Sequence, residues 1–240
     1  MMLTLATKFR PDELQAYDTA QEASLRAVEF WLDASLLLDW KNIVATARKY
    51  NFRYALHFPN YGVLDADALQ GAVCLYRELK CRTIIIHQPM HDAYGESLLS
   101  LDSSLHLAVE NHDLDAAGFS LWAEQNRWLT LDVEHLWLCT LKNAPLETML
   151  TFLEQFLTQY GKKLRHIHLP GYQVGGEEHM AMHYSPQMAA GVLSLLADAG
   201  YSELVVSEAD QKYQNLDDLR KDVAVFEGWR MQYSALVNQD

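Results

Sequence analysis

Six short apolar runs in this chain each end on a residue that can hold a metal ion. They are Tyr54-Ala55-Leu56-His57, Thr83-Ile84-Ile85-Ile86-His87, Leu107-Ala108-Val109-Glu110, Leu129-Thr130-Leu131-Asp132, Leu164-Arg165-His166-Ile167-His168 and Leu204-Val205-Val206-Ser207-Glu208. His135 follows Asp132 by three positions. Runs of this length and composition read as buried parallel strands. A buried strand gains nothing from a carboxylate or imidazole where its apolar run stops, whereas a metal site does. Six such endings in order predict convergence at one end of a parallel barrel.

The rest of the chain supplies the alternation that such a barrel needs. Strands are expected at 3–9, 25–32, 54–58, 83–87, 105–110, 128–133, 164–169 and 203–208. Helices are expected between them: 11–24 with Pro11 in its first turn, 39–50 capped by Asp39, and 66–79 capped by Asp65 or Asp67. A loop from Gln88 to about Gly95 precedes a short helical stretch at 96–101. Asp113 or Asp115 starts a helix to Gln125, Pro145 opens one to Tyr160, and Ser185-Pro186 opens one to Ala199. Residues 170–183 form a loop, and residues 216–237 a final helix. Strand–helix alternation with eight units predicts a (β/α)₈ TIM barrel, α/β in class, as one domain over residues 1–240. A doubly wound open sheet fits less well, because its ligands gather at one switch point and not after six strands.

Parity agrees with convergence. Side chains alternate along a strand, so Glu110 shares a face with Ala108, His168 with His166, and Glu208 with Val206. Each candidate is then the uppermost inward position of its strand.

Composition narrows the partners. The net charge of −13 argues against a broad phosphate-binding surface, so nucleic acid is disfavoured. Lys162, Lys163 and Arg165 cluster, but they precede their strand and sit at the barrel's opposite end. Cys74, Cys81 and Cys139 show no paired spacing and read as reduced thiols of a cytoplasmic protein. No leader pattern and no membrane-length apolar run is present. A homo-oligomer is compatible with the sequence.

These residues resemble the xylose isomerase-like barrel superfamily, which includes sugar isomerases, sugar epimerases and type-2 apurinic-site endonucleases. The resemblance runs from His57 to Glu208 and is carried by Val109-Glu110-Asn111, Leu131-Asp132-Val133-Glu134-His135, His166-Ile167-His168-Leu169 and Val206-Ser207-Glu208. It implies one divalent metal held by Glu110, Asp132, His168 and Glu208. The endonuclease branch implies two further metals, for which His57, His87, His135 and the pair Glu177/His179 are the matching positions. That branch has Asp where this chain has Glu177. In the sugar branch some of these positions grip substrate instead.

The chemistry points the same way. Mixed oxygen and nitrogen donors suit manganese, zinc or cobalt better than calcium. A metal on a carbonyl oxygen acidifies the neighbouring C–H, and two carboxylates, Glu110 and Glu208, can remove and return the proton. The bland alternatives are specific. Asp132 is then a cap, His168 a core histidine with His166 as the functional one, and Glu110 a rim ion pair. Glu208 is then paired with Lys212 or Arg165. His57, His87 and His135 are ligands, substrate contacts or structural residues. His91, His106 and His112 read as structural or surface, Glu29 as a residue inside the barrel that is either a buried pair or functional, and Trp31 and Trp137 as a wall for substrate. The expected function is a metal-dependent isomerase or epimerase of a small carbohydrate-like substrate, favoured by acidity and trim length. The alternative is a metal-dependent phosphoester hydrolase, favoured by the extra histidines. A third reading is a barrel that binds metal for stability or serves as a partner surface.

Overall fold

The computed structural model describes residues 3–237. Eight parallel strands close into a barrel in chain order: β1 (Thr4–Phe9), β2 (Ala27–Trp31), β3 (Arg53–His57), β4 (Ile84–His87), β5 (Leu107–Glu110), β6 (Trp128–Asp132), β7 (Leu164–His168) and β8 (Leu204–Ser207). β8 pairs back onto β1, with Thr7 opposite Ser207. The barrel expected from the apolar runs is the one observed. Among the described residues no helix is long and apolar enough to cross a membrane.

The two faces of the sheet separate cleanly. Leu5, Val28, Phe30, Leu56, Ile84, Ile86, Val109, Leu131, Ile167 and Val205 belong to the main core shared with the helices. Their sequence neighbours Ala6, Ala27, Ala55, Ile85, Leu204 and Val206 form a smaller apolar plug. By the two-residue period, that inner face carries Lys8, Glu29, His57, His87, Glu110, His168 and Glu208 one step further along each strand. Small inner residues fill the barrel's lower layers, and the polar groups crown them.

Ten α-helices surround the barrel among the described residues: α1 (Leu14–Glu22), α2 (Ala34–Leu38), α3 (Trp40–Ala47), α4 (Ala66–Glu78), α5 (Gln88–Leu101), α6 (Ala116–Gln125), α7 (Val133–His135), α8 (Leu146–Tyr160), α9 (Pro186–Asp198) and α10 (Leu216–Val237). Asp65 caps α4 and Asp115 caps α6, each accepting from the backbone N–H three residues on. Asp113 instead takes a left-handed turn at φ 53°. Three expectations need correction. The segment from Gln88 to Gly95 is not a loop but the first half of α5, because Pro89 is tolerated in an opening turn. Asp39 accepts from the Asn42 side chain and not from a helix N–H. Ser185 spends its hydroxyl on the backbone of Tyr172 and does not cap α9.

α2 was not expected from the sequence, and its start lies just beyond the mouth end of β2. The Asp33 carboxylate accepts from the Leu36 N–H at 3.0 Å, from Ser35 at 2.6 Å and from Arg10 at 2.8 Å. Partial burial opposes its charge, but these bonds outweigh burial and hold the carboxyl at about 2. Asp33→Ala is expected to cost about 1 kcal/mol at pH 7, the usual loss of an N-cap, read from urea melts. A depressed folded value means the charge contribution is complete above the unfolded value of ~3.9 and is lost as the pH falls further. The gap between parent and variant should therefore narrow on acidification through about 2. A gap that widens would contradict this account.

Candidate metal centre

Glu110 ends β5, Asp132 ends β6, His168 ends β7, and Glu208 follows β8 by one residue. One ligand atom from each lies within 4.8 Å of all the others. His168 Nδ1 is 2.9 Å from Glu110 Oε1 and 3.8 Å from Asp132 Oδ2, and it also touches Glu208 Oε2. Glu110, Asp132 and His168 are buried. Strand register explains the meeting, since Asp132 pairs with His168 across β6 and β7.

The charges are out of balance in a way that a cation would correct. Asp132 Oδ2 is buried with no hydrogen-bond partner. Burial, then the nearby charges of Glu208 and Glu110, push the Asp132 carboxyl up against the pull of His135 and His168. Burial alone would lower His168, yet Glu208, Glu29 and Glu110 raise it well above an ordinary histidine. Three carboxylates around one imidazole nitrogen need compensating charge. The donor set fits a divalent ion of the manganese, zinc or cobalt type.

Asp132 is also a cap. Its Oδ1 accepts from the His135 N–H at 2.7 Å, while Oδ2 points toward the donor cluster. The two roles use different oxygens. Glu208 pairs with neither Lys212 nor Arg165. Its partner is Lys8 of β1, while Lys212 bonds Glu177 and Arg165 lies over Trp128.

His57 and His87 join the centre from the other side of Glu110. Both Nε2 atoms are 3.1 Å from Glu110 Oε2, and the three residues form a second cluster of possible ligands. His135 lies near a third, with His112 and Asp113, its Nδ1 3.4 Å from Asp113 Oδ1. His112 stacks on His87 at 4.6 Å, so it is part of this imidazole array and not a bystander. Glu177 is not brought to the site. It is exposed and bonded to Lys212 and Tyr213. His179 does come near, with its ring 5.8 Å from that of His135 and its N–H donated to Glu134 at 2.9 Å. Burial, then the Asp132 charge, pushes the Glu134 carboxyl up to about 9.

Sequence reasoning missed Lys8 and left Glu29 undecided. Both are buried, face each other in register on β1 and β2, and lie 3.5 Å apart between Nζ and Oε1. The signal was available: each shares the inner face with an alanine one step below. A cleft of about 310 Å³ opens beside Glu208, lined by Lys8, Arg10, Trp31, Asn60, His179 and Gln214 among others. Trp31 lines this cleft. Trp137 instead packs on Tyr172 and donates to the Ala144 carbonyl.

No family model matches the chain, and no curated protein matches it in sequence. Its fold is similar to that of a D-tagatose 3-epimerase-like protein, with a TM-score of 0.69 at 14% identity over 98% of this chain and 99% of that one. It is also similar to an L-ribulose 3-epimerase, with a TM-score of 0.59 at 14% identity over 99% and 98%. Endonuclease IV from Thermus thermophilus is similar as well, with a TM-score of 0.62 at 13% identity over 95% and 99%. The chain therefore shares with these proteins the closed eight-stranded parallel barrel fold.

Proposed function

We propose that this chain is a divalent-metal-dependent epimerase or isomerase of a small, uncharged sugar or related polyhydroxy carbonyl compound. The observation that carries this reading is the position of Glu208, which belongs both to the four-donor cluster and to the wall of the adjoining cleft. The cleft has the size of a small-molecule site. Its two cations are already engaged, Lys8 by Glu208 and Glu29, and Arg10 by Asp12 and Asp33. A phosphate would have to break those pairs, so a neutral polyol is the better occupant. Trp31 offers an apolar surface, and Asn60, Gln211 and Gln214 offer amides to hydroxyl groups.

Glu110, Asp132, His168 and Glu208 are the residues that would hold the ion, and bound there it supplies Lewis acidity toward a carbonyl oxygen. Glu208 takes the proton from the carbon next to that carbonyl. Burial opposes its charge, but His168 and Lys8 overcome burial and keep it ionised, as a base requires. Glu110, across the donor cluster on β5, returns to the other face a proton first passed to its Oε2 from His57 Nε2, which lies 3.1 Å away. Glu208 then gives up its proton to solvent at the cleft and His57 takes one up, which closes the cycle. His57 and His87 hold Glu110 in place at Oε2. The sugar-epimerase neighbours support this reading at the level of fold.

A second reading has its own observation. The His57, His87 and Glu110 cluster could hold another ion, as a phosphoester hydrolase of the apurinic-site endonuclease type would require. Glu177, the match to that branch's acid, lies apart and bonded to Lys212. The test is incubation with a panel of ketoses and aldoses in deuterium oxide with manganese, cobalt or zinc. The epimerase reading expects deuterium at the carbon beside the carbonyl of at least one sugar. No exchange with any sugar, together with metal-dependent cleavage of a model phosphodiester, would transfer the assignment to the hydrolase.

A further inference from the structure

Glu29 is the one fully buried carboxylate on the inner face of β2, and the proton transfer proposed above does not use it. Burying a carboxylate is costly unless its partners repay the lost hydration. Here the partners are specific. Glu29 Oε2 lies 2.6 Å from His166 Nε2 and 3.1 Å from His168 Nε2. Glu29 Oε1 faces Lys8 Nζ at 3.5 Å, and Lys8 in turn bonds Glu208. One carboxylate therefore reaches two of the four donors, His168 directly and Glu208 through Lys8.

The chemistry of the bond to His168 fixes a choice. An ionised carboxylate only accepts hydrogen bonds, so His168 Nε2 must carry the proton. In the neutral ring the lone pair then sits on Nδ1, the nitrogen that faces Glu110, Asp132 and Glu208. The opposite tautomer would set a lone pair against Glu29 and turn an N–H into the donor cluster. Residues that orient a metal-binding imidazole in this way tune its affinity for the ion.

We infer that Glu29 is the positioning residue of the candidate centre: it presents His168 through Nδ1 and, by way of Lys8, holds Glu208 at the cleft wall. The inference rests on the metal reading under Proposed function. It adds an outcome that this reading alone does not require, because none of the four donors is altered by changing Glu29.

The test is calorimetric titration of the metal-free full chain with zinc chloride, comparing the parent with Glu29→Gln. Gln keeps the length of the side chain but loses the charge and one acceptor oxygen. Zinc affinity is expected to fall by about 10–100-fold in a variant whose circular dichroism matches the parent. Equal affinity in the two proteins would overturn this proposal and leave the metal reading standing. A parent that binds no zinc would overturn the metal reading itself. Should the Gln variant not fold, Glu29→Asp keeps the charge, withdraws it from His168 and is expected to show the same loss. A zinc-bound crystal structure of the unaltered chain gives a separate check. Zinc on His168 Nδ1, with Nε2 still bonded to Glu29, is the expected result, and zinc on Nε2 would overturn the proposal.

Discussion

Asp132→Ala is expected to yield a folded barrel that no longer retains a divalent ion and turns over no substrate. The same result is expected of His168→Ala. The reason is where each side chain sits. Asp132 and His168 crown the inner face, above a plug of Ala6, Ala27, Ala55, Ile85, Leu204 and Val206 that neither residue helps to form. The helices pack on the opposite face, against Leu131 and Ile167. Removing the Asp132 side chain also removes the cap on the His135 N–H, a loss of about 1 kcal/mol that a barrel of this size tolerates. Metal loss is the large effect, since a three-donor remnant must bind the ion without one of its charges or its only nitrogen. Elemental analysis after dialysis reads the outcome. Full metal occupancy in either variant would remove that residue from the ligand set.

The second large effect concerns proton transfer. Glu208→Gln and Glu110→Gln each keep a ligand oxygen and the side-chain volume, but neither amide can carry the transferred proton. General acid–base groups contribute ~10²–10⁴-fold, so turnover should fall by at least that much in each. The two variants should differ in metal binding. Glu208 has Lys8 on one oxygen and His168 on the other and faces the cleft, whereas Glu110 is more deeply buried and is held by three imidazoles, His168 on one oxygen and His57 and His87 on the other. Glu110→Gln is therefore expected to weaken metal retention more than Glu208→Gln. Activity within a few fold of the parent in either variant, at saturating metal, would sink its role in moving the proton.

How much of this was legible in the sequence follows from what a periodicity can encode. The strands were legible because a buried strand must be apolar on both faces, and a polar residue at its end then stands out. That contrast located His57, His87, Glu110, Asp132, His168 and Glu208. It failed for Lys8 and Glu29, which sit within β1 and β2 and look like interruptions until the barrel closes and pairs them. Helix starts were less legible. α2 follows β2 almost directly, and α5 begins at a Gln-Pro pair that reads equally as a loop. The position of Glu177 was not encoded locally at all. It depends on the path of the 170–183 loop, which a Gly171–Met180 bridge and the tie between Glu134 and the His179 N–H determine. That path brings His179 toward the site and leaves Glu177 at the surface beside Lys212.

On the proposed reading, the crown of the barrel holds a single catalytic divalent ion among Glu110, Asp132, His168 and Glu208. Anomalous diffraction from crystals grown with zinc or manganese should then show one fully occupied peak bounded by those four residues. No peak there, or three full peaks with Glu177 as a direct ligand, would contradict it.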